Sequence, residues 1–179
     1  MDQNPRNTAF SYGAIYGLIS VTLVVIQYVM GDFKVGGERD AFGFWGILGL
    51  AAAVVLPLLA MLQVRKDQGG LLSYGQGFKT GFTVFIIGSL FSAMWMLLYT
   101  YLLEPGYQET MLNQSYAHMK EQGLDEDTIE QSLDLTRKFT SPLIMSLWTI
   151  LGAALLGAIV SLILALFTRR ESDPSTQLQ

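Results

Sequence analysis

The sequence has no cysteine and a single histidine, His118, among its 179 residues. The missing cysteines exclude disulfides, thiolate nucleophiles and cysteine metal sites. A lone histidine without a partner at ligand spacing is typical of a surface residue rather than of a metal ligand. The net charge of -4 and the lack of a dense basic cluster argue against nucleic-acid binding. We therefore predict no metal, no cofactor, no catalytic residue and no nucleic-acid partner.

Charged residues are also missing from the interiors of four long apolar stretches, residues 10–30, 42–63, 82–103 and 143–167. Each has about 20 residues or more, enough to cross a hydrocarbon core of ~30 Å. A soluble helix would carry charged side chains on its outer face, but these stretches are apolar all round. The first is also too long for the apolar core of a signal peptide. We predict an all-α, four-helix transmembrane bundle, a single membrane domain over residues 1–179, with the lipid bilayer as its first partner.

Basic residues suggest how the bundle is oriented. An even number of spans places both termini on one side, where the pairs Arg65-Lys66 and Arg169-Arg170 directly adjoin span ends. Basic residues next to spans favour the cytoplasmic side. The pair Arg137-Lys138, close before the fourth span on the opposite side, argues the other way. We predict a multi-pass protein of the cell inner membrane with cytoplasmic N- and C-termini.

Small residues four positions apart share one helix face and let two backbones approach closely in lipid. This spacing gives a set of helix-packing candidates: Gly13, Gly17, Gly77, Gly81, Ala153 and Gly157. They can serve contacts within one bundle, which we favour, or contacts between copies in a homo-oligomer. Gly88 has no small partner at this spacing, so a large substitution there is expected to be milder than at Gly81.

Pro57 lies inside the second span and is predicted to kink it, because proline lacks the N–H that would bond four residues back. A kink that serves packing is favoured over a gate or hinge.

Aromatic residues near the ends of the spans predict anchors in the membrane interface. This group comprises Tyr28, Trp45, Tyr99 and Tyr101. Trp95 and Trp148 lie deeper along their spans and are expected to fill the bundle.

A similar tripeptide opens the first and third spans, Ser11-Tyr12-Gly13 and Ser73-Tyr74-Gly75. Both segments start on the same side, which fits a parallel repeat of two spans. Three matched residues also occur by chance, and chance is the favoured interpretation.

The polar segment 104–141 between the third and fourth spans predicts two amphipathic helices, residues 107–122 and 126–140. Gly123 provides a stop for the first helix, and Asp125 an N-cap for the second. Acids in the first turn of the second helix and bases in its last turn complement the helix dipole. The pair forms a hairpin that either caps the bundle or captures a partner or ligand; capping is favoured.

The stretch Tyr74-Gly-Gln-Gly-Phe-Lys-Thr-Gly81, together with the acidic segment from Gly123 to Pro142, resembles a bacterial domain-of-unknown-function family of small four-span membrane proteins. The resemblance covers about residues 9–167. It implies a four-span layout in a bacterial inner membrane, and it implies no activity, substrate or catalytic residue. The glycines of the motif permit a bend and close helix approach. Lys79 can reach lipid headgroups, which makes it a weak candidate for an anionic ligand or headgroup.

Three classes of function remain. We favour a non-catalytic membrane structural or interaction protein, with a homo-oligomer or a membrane protein as its partner. The first alternative is a small oligomeric transporter or channel, and the second is a membrane enzyme. Transport and membrane catalysis usually need ionisable groups at depth, which these spans lack. A cavity reaching the bilayer midplane would favour transport.

Overall fold

The computed structural model describes residues 4–31 and 43–170, and these residues form an all-α structure. In chain order the helices are α1 (Pro5–Met30), α2 (Phe44–Asp67), α3 (Tyr74–Leu98), α4 (Tyr107–Glu121), α5 (Glu126–Phe139) and α6 (Pro142–Thr168). A π-helix, Tyr99–Leu103, continues α3. Within the described ranges α1, α2, α3 with its π-helical extension, and α6 are long and apolar enough to span a membrane. The predicted four-span layout is confirmed. The predicted start of the second span at Phe42 lies outside the described residues.

Local capping sets where the spans begin. The amide of Arg6 donates to the side chain of Asn4 (3.1 Å), and Pro5 occupies the first helical position. Proline is preorganised for that position, so α1 starts five residues before the predicted span. Similarly, α3 starts at Tyr74 because Ser73 and Gln76 form a reciprocal capping box. The glycine motif is therefore helical.

The bundle is arranged around α3. Helix α3 packs most extensively on α6 and next on α1, while α2 contacts α1, α3 and α6. Glycines allow these close approaches. A Cβ added at Gly157 of α6 would lie 2.5 Å from Cβ of Phe85, and one at Gly13 of α1 would lie 2.6 Å from Cβ of Ile87. Both glycines thus place α6 and α1 against the same helix.

A short β-bridge ties together the side of the bundle that carries both termini, which we term the terminal end. The amide of Leu72 donates to the carbonyl of Arg170, and the amide of Arg170 donates to the carbonyl of Leu72, both at 2.8 Å. Leu72 is 1% exposed and packs with Met61, Val64 and Leu164. The end of α6 is thereby joined to the link between α2 and α3.

Two aromatic predictions are wrong. Trp148 does not fill the bundle: it is 56% exposed on the outer surface of α6, because the face of α6 towards α3 is made by smaller residues such as Gly157. Tyr99 is not an exposed anchor but 3% exposed, since the rings of Tyr28 and Tyr107 pack edge-on against it.

Candidate functional site

The helical hairpin of α4 and α5 is the main structure outside the spans, and it defines the opposite side of the bundle, the hairpin end. Its turn is built as predicted. Gly123 adopts a left-handed φ of 75°, which ends α4, and Asp125 caps α5 by accepting the Thr128 amide at 3.0 Å. The amide side chain of Gln108 donates to the carbonyl of Arg137 (2.7 Å) and joins the other ends of the two helices.

The cap of α5 has an electrostatic consequence. The hydroxyl of Thr128 donates to Asp125 at 2.8 Å, and its amide donates to the other carboxylate oxygen. Both bonds favour the charged carboxylate, so they hold the pKa of Asp125 below its usual range. The hairpin turn is therefore best formed when Asp125 is ionised.

An open groove of about 530 Å³ runs between α4 and α5. Its lining mixes apolar, polar and charged side chains. Its lining residues are Glu109, Leu112, Asn113, Tyr116, Glu130, Leu133, Asp134 and Arg137. Three carboxylates against one guanidinium give the groove a negative balance.

The hairpin is only lightly attached to the spans. Within the described part of the chain, α4 and α5 contact each other far more than they contact the bundle, and α5 meets α6 at few positions. One attachment is aromatic. Tyr107 at the start of α4 packs against Tyr99 with ring centroids 5.7 Å apart, and Tyr99 packs in turn against Trp95 and Tyr28. This aromatic contact therefore attaches the base of the hairpin to the end of the third span.

The two ends carry opposite charge. The described residues of the terminal end include one acid, Asp67, and six bases: Arg6, Arg65, Lys66, Lys79, Arg169 and Arg170. The hairpin end over residues 99–141 has three bases, Lys120, Arg137 and Lys138, and eight acids: Glu104, Glu109, Glu121, Asp125, Glu126, Asp127, Glu130 and Asp134. A partner of the hairpin therefore meets a predominantly acidic surface.

The structure brings the predicted packing residues to contacts between helices of the same chain. Gly13 and Gly17 of α1 face Ile87 and Phe91 of α3. Gly77 of α3 faces Ala165 of α6, and Gly157 of α6 faces Phe85 of α3. Ala153 is half-buried in α6.

Gly81 lies at a junction of three helices. Added side-chain atoms there would meet Met61 of α2 and, at 2.7 Å, the hydroxyl of Ser161 of α6. That hydroxyl is buried and has no hydrogen-bond partner among the described residues.

Gly88 contradicts the sequence expectation. A Cβ there would overlap the ring of Tyr16 from α1, so a large side chain at Gly88 cannot be the milder change. The rule of small residues at intervals of four misses this contact because an aromatic ring, not a second small residue, packs onto the glycine.

The remaining candidates lie apart from one another. Lys79 is exposed on α3 near the terminal end, and Pro57 is fully buried within an α2 that continues on both sides of it. The two similar tripeptides occupy different places: Ser73 is the N-cap of α3, whereas Ser11 lies well inside α1. This offset gives the proposed repeat no structural support.

Residues 11–170 match the model of a family described as protein of unknown function (DUF4199). The chain belongs to this family. The family resemblance is thus confirmed, and its description assigns no activity. No curated protein and no solved structure matches the chain.

Three features of the molecule escaped the sequence analysis: the π-helix, the β-bridge and the groove. The bridge and the groove each depend on residues far apart in the chain, Leu72 with Arg170 and α4 with α5. The π-helix carries Tyr99 at its start, and such insertions are frequent at functional sites. The cluster of tyrosines at residues 99, 101 and 107 is the one sequence feature that marks the position of the π-helix.

Proposed function

We propose that this DUF4199 protein is a non-catalytic membrane interaction protein whose four spans anchor the α4–α5 hairpin for a partner protein. The observation that carries the proposal is the groove between α4 and α5. It is open, mixed in polarity, and borne by helices that the rest of the bundle barely covers. A hairpin that only capped the spans would bury its apolar residues against them.

The spans themselves support anchoring over transport or catalysis. Close contacts at Gly13, Gly17, Gly88 and Gly157 join α1, α3 and α6 along their length. Within residues 4–31 and 43–170, no three His, Cys, Asp or Glu side chains are grouped so that they could hold a metal ion. The charged residues that the spans do carry lie near their ends, as Lys79 does.

We further propose that the protein resides in a bacterial inner membrane with its termini in the cytoplasm. The support is the basic terminal end, which favours the cytoplasmic side. Reporter fusions after Gln179 and within residues 114–122 should report opposite sides, with the C-terminal fusion cytoplasmic. A periplasmic C-terminal reporter would overturn this orientation.

Photo-crosslinking in native membranes tests the interaction function. A photoreactive amino acid replaces Asn113 or Glu130 in the groove, and the matched control replaces Leu155, which is 71% exposed at the middle of α6. Protein adducts of one defined mass from both groove positions, but not from Leu155, are expected. An adduct with the mass of two copies would identify a homo-oligomer. Absence of any protein adduct from both groove positions would contradict the proposal.

A further inference from the structure

We propose that the second half of α5 lies in the membrane interface, with Leu135 and Phe139 in contact with lipid, and that this seating turns the groove of the hairpin towards solution. The inference deepens the proposed function, because it fixes which face of the hairpin a partner can reach. The lipid contact itself needs no partner and can be tested without one.

The first observation is the exposure of two large apolar side chains outside the spans. Leu135 and Phe139 are 56% and 55% exposed, whereas Ile129 on the same helix is 3% exposed. Leu133 lines the groove between α4 and α5, and Ile129, four residues earlier, shares its helix face. Packing within the hairpin therefore covers one apolar face of α5, and the described residues leave another apolar face of this helix uncovered.

Helix geometry separates these faces. At about 100° per residue, Leu135 and Phe139 lie on a common face that also carries Thr128, Gln131 and Ser132, all uncharged. The groove residues Glu130, Asp134 and Arg137 lie about 120–180° from the middle of that face around the same helix. One side of α5 is thus free of charge, and the opposite side carries the charged wall of the groove. This division is typical of helices that lie in a membrane interface.

Chain continuity decides what covers the uncharged face. Phe139 lies three residues before Pro142, where the spanning helix α6 begins, so their Cα atoms are at most about 11 Å apart. Leu143 and Leu147 follow on α6 and are 62% and 57% exposed on its lipid-facing surface. Phe139 thus lies within three residues of the start of a spanning helix, which places it near the depth of the interface.

The charge near this face also favours lipid as the molecule that covers it. Lys138 lies between Leu135 and the start of α6 and, at about 100° per residue, at the edge of the uncharged face. Long basic side chains can bury their aliphatic stems along apolar surface while their charges reach phosphates. A basic residue at the edge of this face, on an otherwise acidic segment, thus suits contact with a bilayer.

Spin labelling tests the seating directly. Because the chain has no cysteine, each label needs a single substitution. Leu135→Cys and Phe139→Cys are compared in lipid nanodiscs with Glu130→Cys and Asp134→Cys on the groove face, and with Leu143→Cys on α6. We expect the ratio of oxygen to nickel-chelate accessibility at residues 135 and 139 to approach that at residue 143. It should exceed the ratio at residues 130 and 134 several-fold.

Two results would overturn the inference. High nickel-chelate accessibility at residues 135 and 139 would show a face exposed to water. Low accessibility to both reagents would show a face buried by protein, either residues 32–42 of this chain or a second copy. Labelling with a membrane-impermeant maleimide gives a second reading on the same variants: slow at 135 and 139, and fast at 130 and 134. Lipid contact at these positions without any crosslink from either Asn113 or Glu130 would keep this inference and reject the proposed partner.

Discussion

The terminal end and the hairpin end of the bundle are built in different ways. At the terminal end, the β-bridge between Leu72 and Arg170 and the buried cluster around Met61 join three helices. At the hairpin end, α4 and α5 pack mainly on each other and reach the bundle through few contacts, among them Tyr107 on Tyr99. The contrast predicts that the terminal end is the more rigid of the two.

The largest effect is expected from Leu72→Ala, which removes a fully buried side chain from the terminal end. Leucine-to-alanine changes in cores cost about 2–5 kcal/mol. We expect the lower part of that range, because detergent chains also solvate exposed apolar surface. Thermal unfolding of the purified protein measures the loss. The matched change at the hairpin end, Leu135→Ala, should leave the melting temperature of the spans nearly unaltered, and equal losses would erase the difference between the ends.

Gly81→Leu should destabilise the bundle somewhat less, by about 1–3 kcal/mol, through overpacking against Met61 and Ser161. The control is Gly75→Leu, in the same motif and helix, where an added Cβ meets nothing within 4 Å. Melting curves in detergent compare the two. A Gly81→Leu protein as stable as its control would show that α2, α3 and α6 do not meet closely at this point.

Gly88→Leu tests the packing between α1 and α3. Because the ring of Tyr16 occupies the space beside Gly88, we expect a loss similar to that at Gly81, again about 1–3 kcal/mol. The added change Tyr16→Ala should restore part of the stability by vacating that space. If the double variant were as unstable as expected from summing the two single losses, the predicted contact between α1 and α3 would be absent.

Most of the fold follows from local features of the sequence. Span number depends on apolar length, and the hairpin turn depends on Gly123 and Asp125, which act within a few residues. The start of α3 was predicted too late because it was placed from the apolar stretch, whereas the Ser73–Gln76 capping box determines where the helix begins. The burial of Tyr99 and the exposure of Trp148 were missed because they depend on which helices become neighbours. The groove likewise exists only once α4 and α5 are side by side.

The smallest effect concerns pH at the hairpin end. Because the folded pKa of Asp125 is lowered, its capping stabilises α5 above the unfolded pKa and is lost as the pH falls through the folded value. After correction for intrinsic exchange rates, the amide hydrogens in the first turn of α5 should therefore exchange faster in acid than at neutral pH. Asp125→Asn is the control, since asparagine also caps helices but does not titrate in this range. An identical acid response in both proteins would assign the effect to other carboxylates.

Hydrogen exchange on the intact protein in lipid nanodiscs compares the two ends in one measurement. We expect the amides of Leu72 and Arg170, and those along α3 and α6, to exchange slowly and together. Those of α4 and α5 should exchange faster, yet more slowly than unstructured peptides, because the hairpin opens without the bundle. Equal protection of the hairpin and the spans would show a cap that is part of the bundle. Full exchange across residues 107–139 would show that no hairpin forms. Either result would contradict the account of a rigid anchor that presents a folded, separately attached surface.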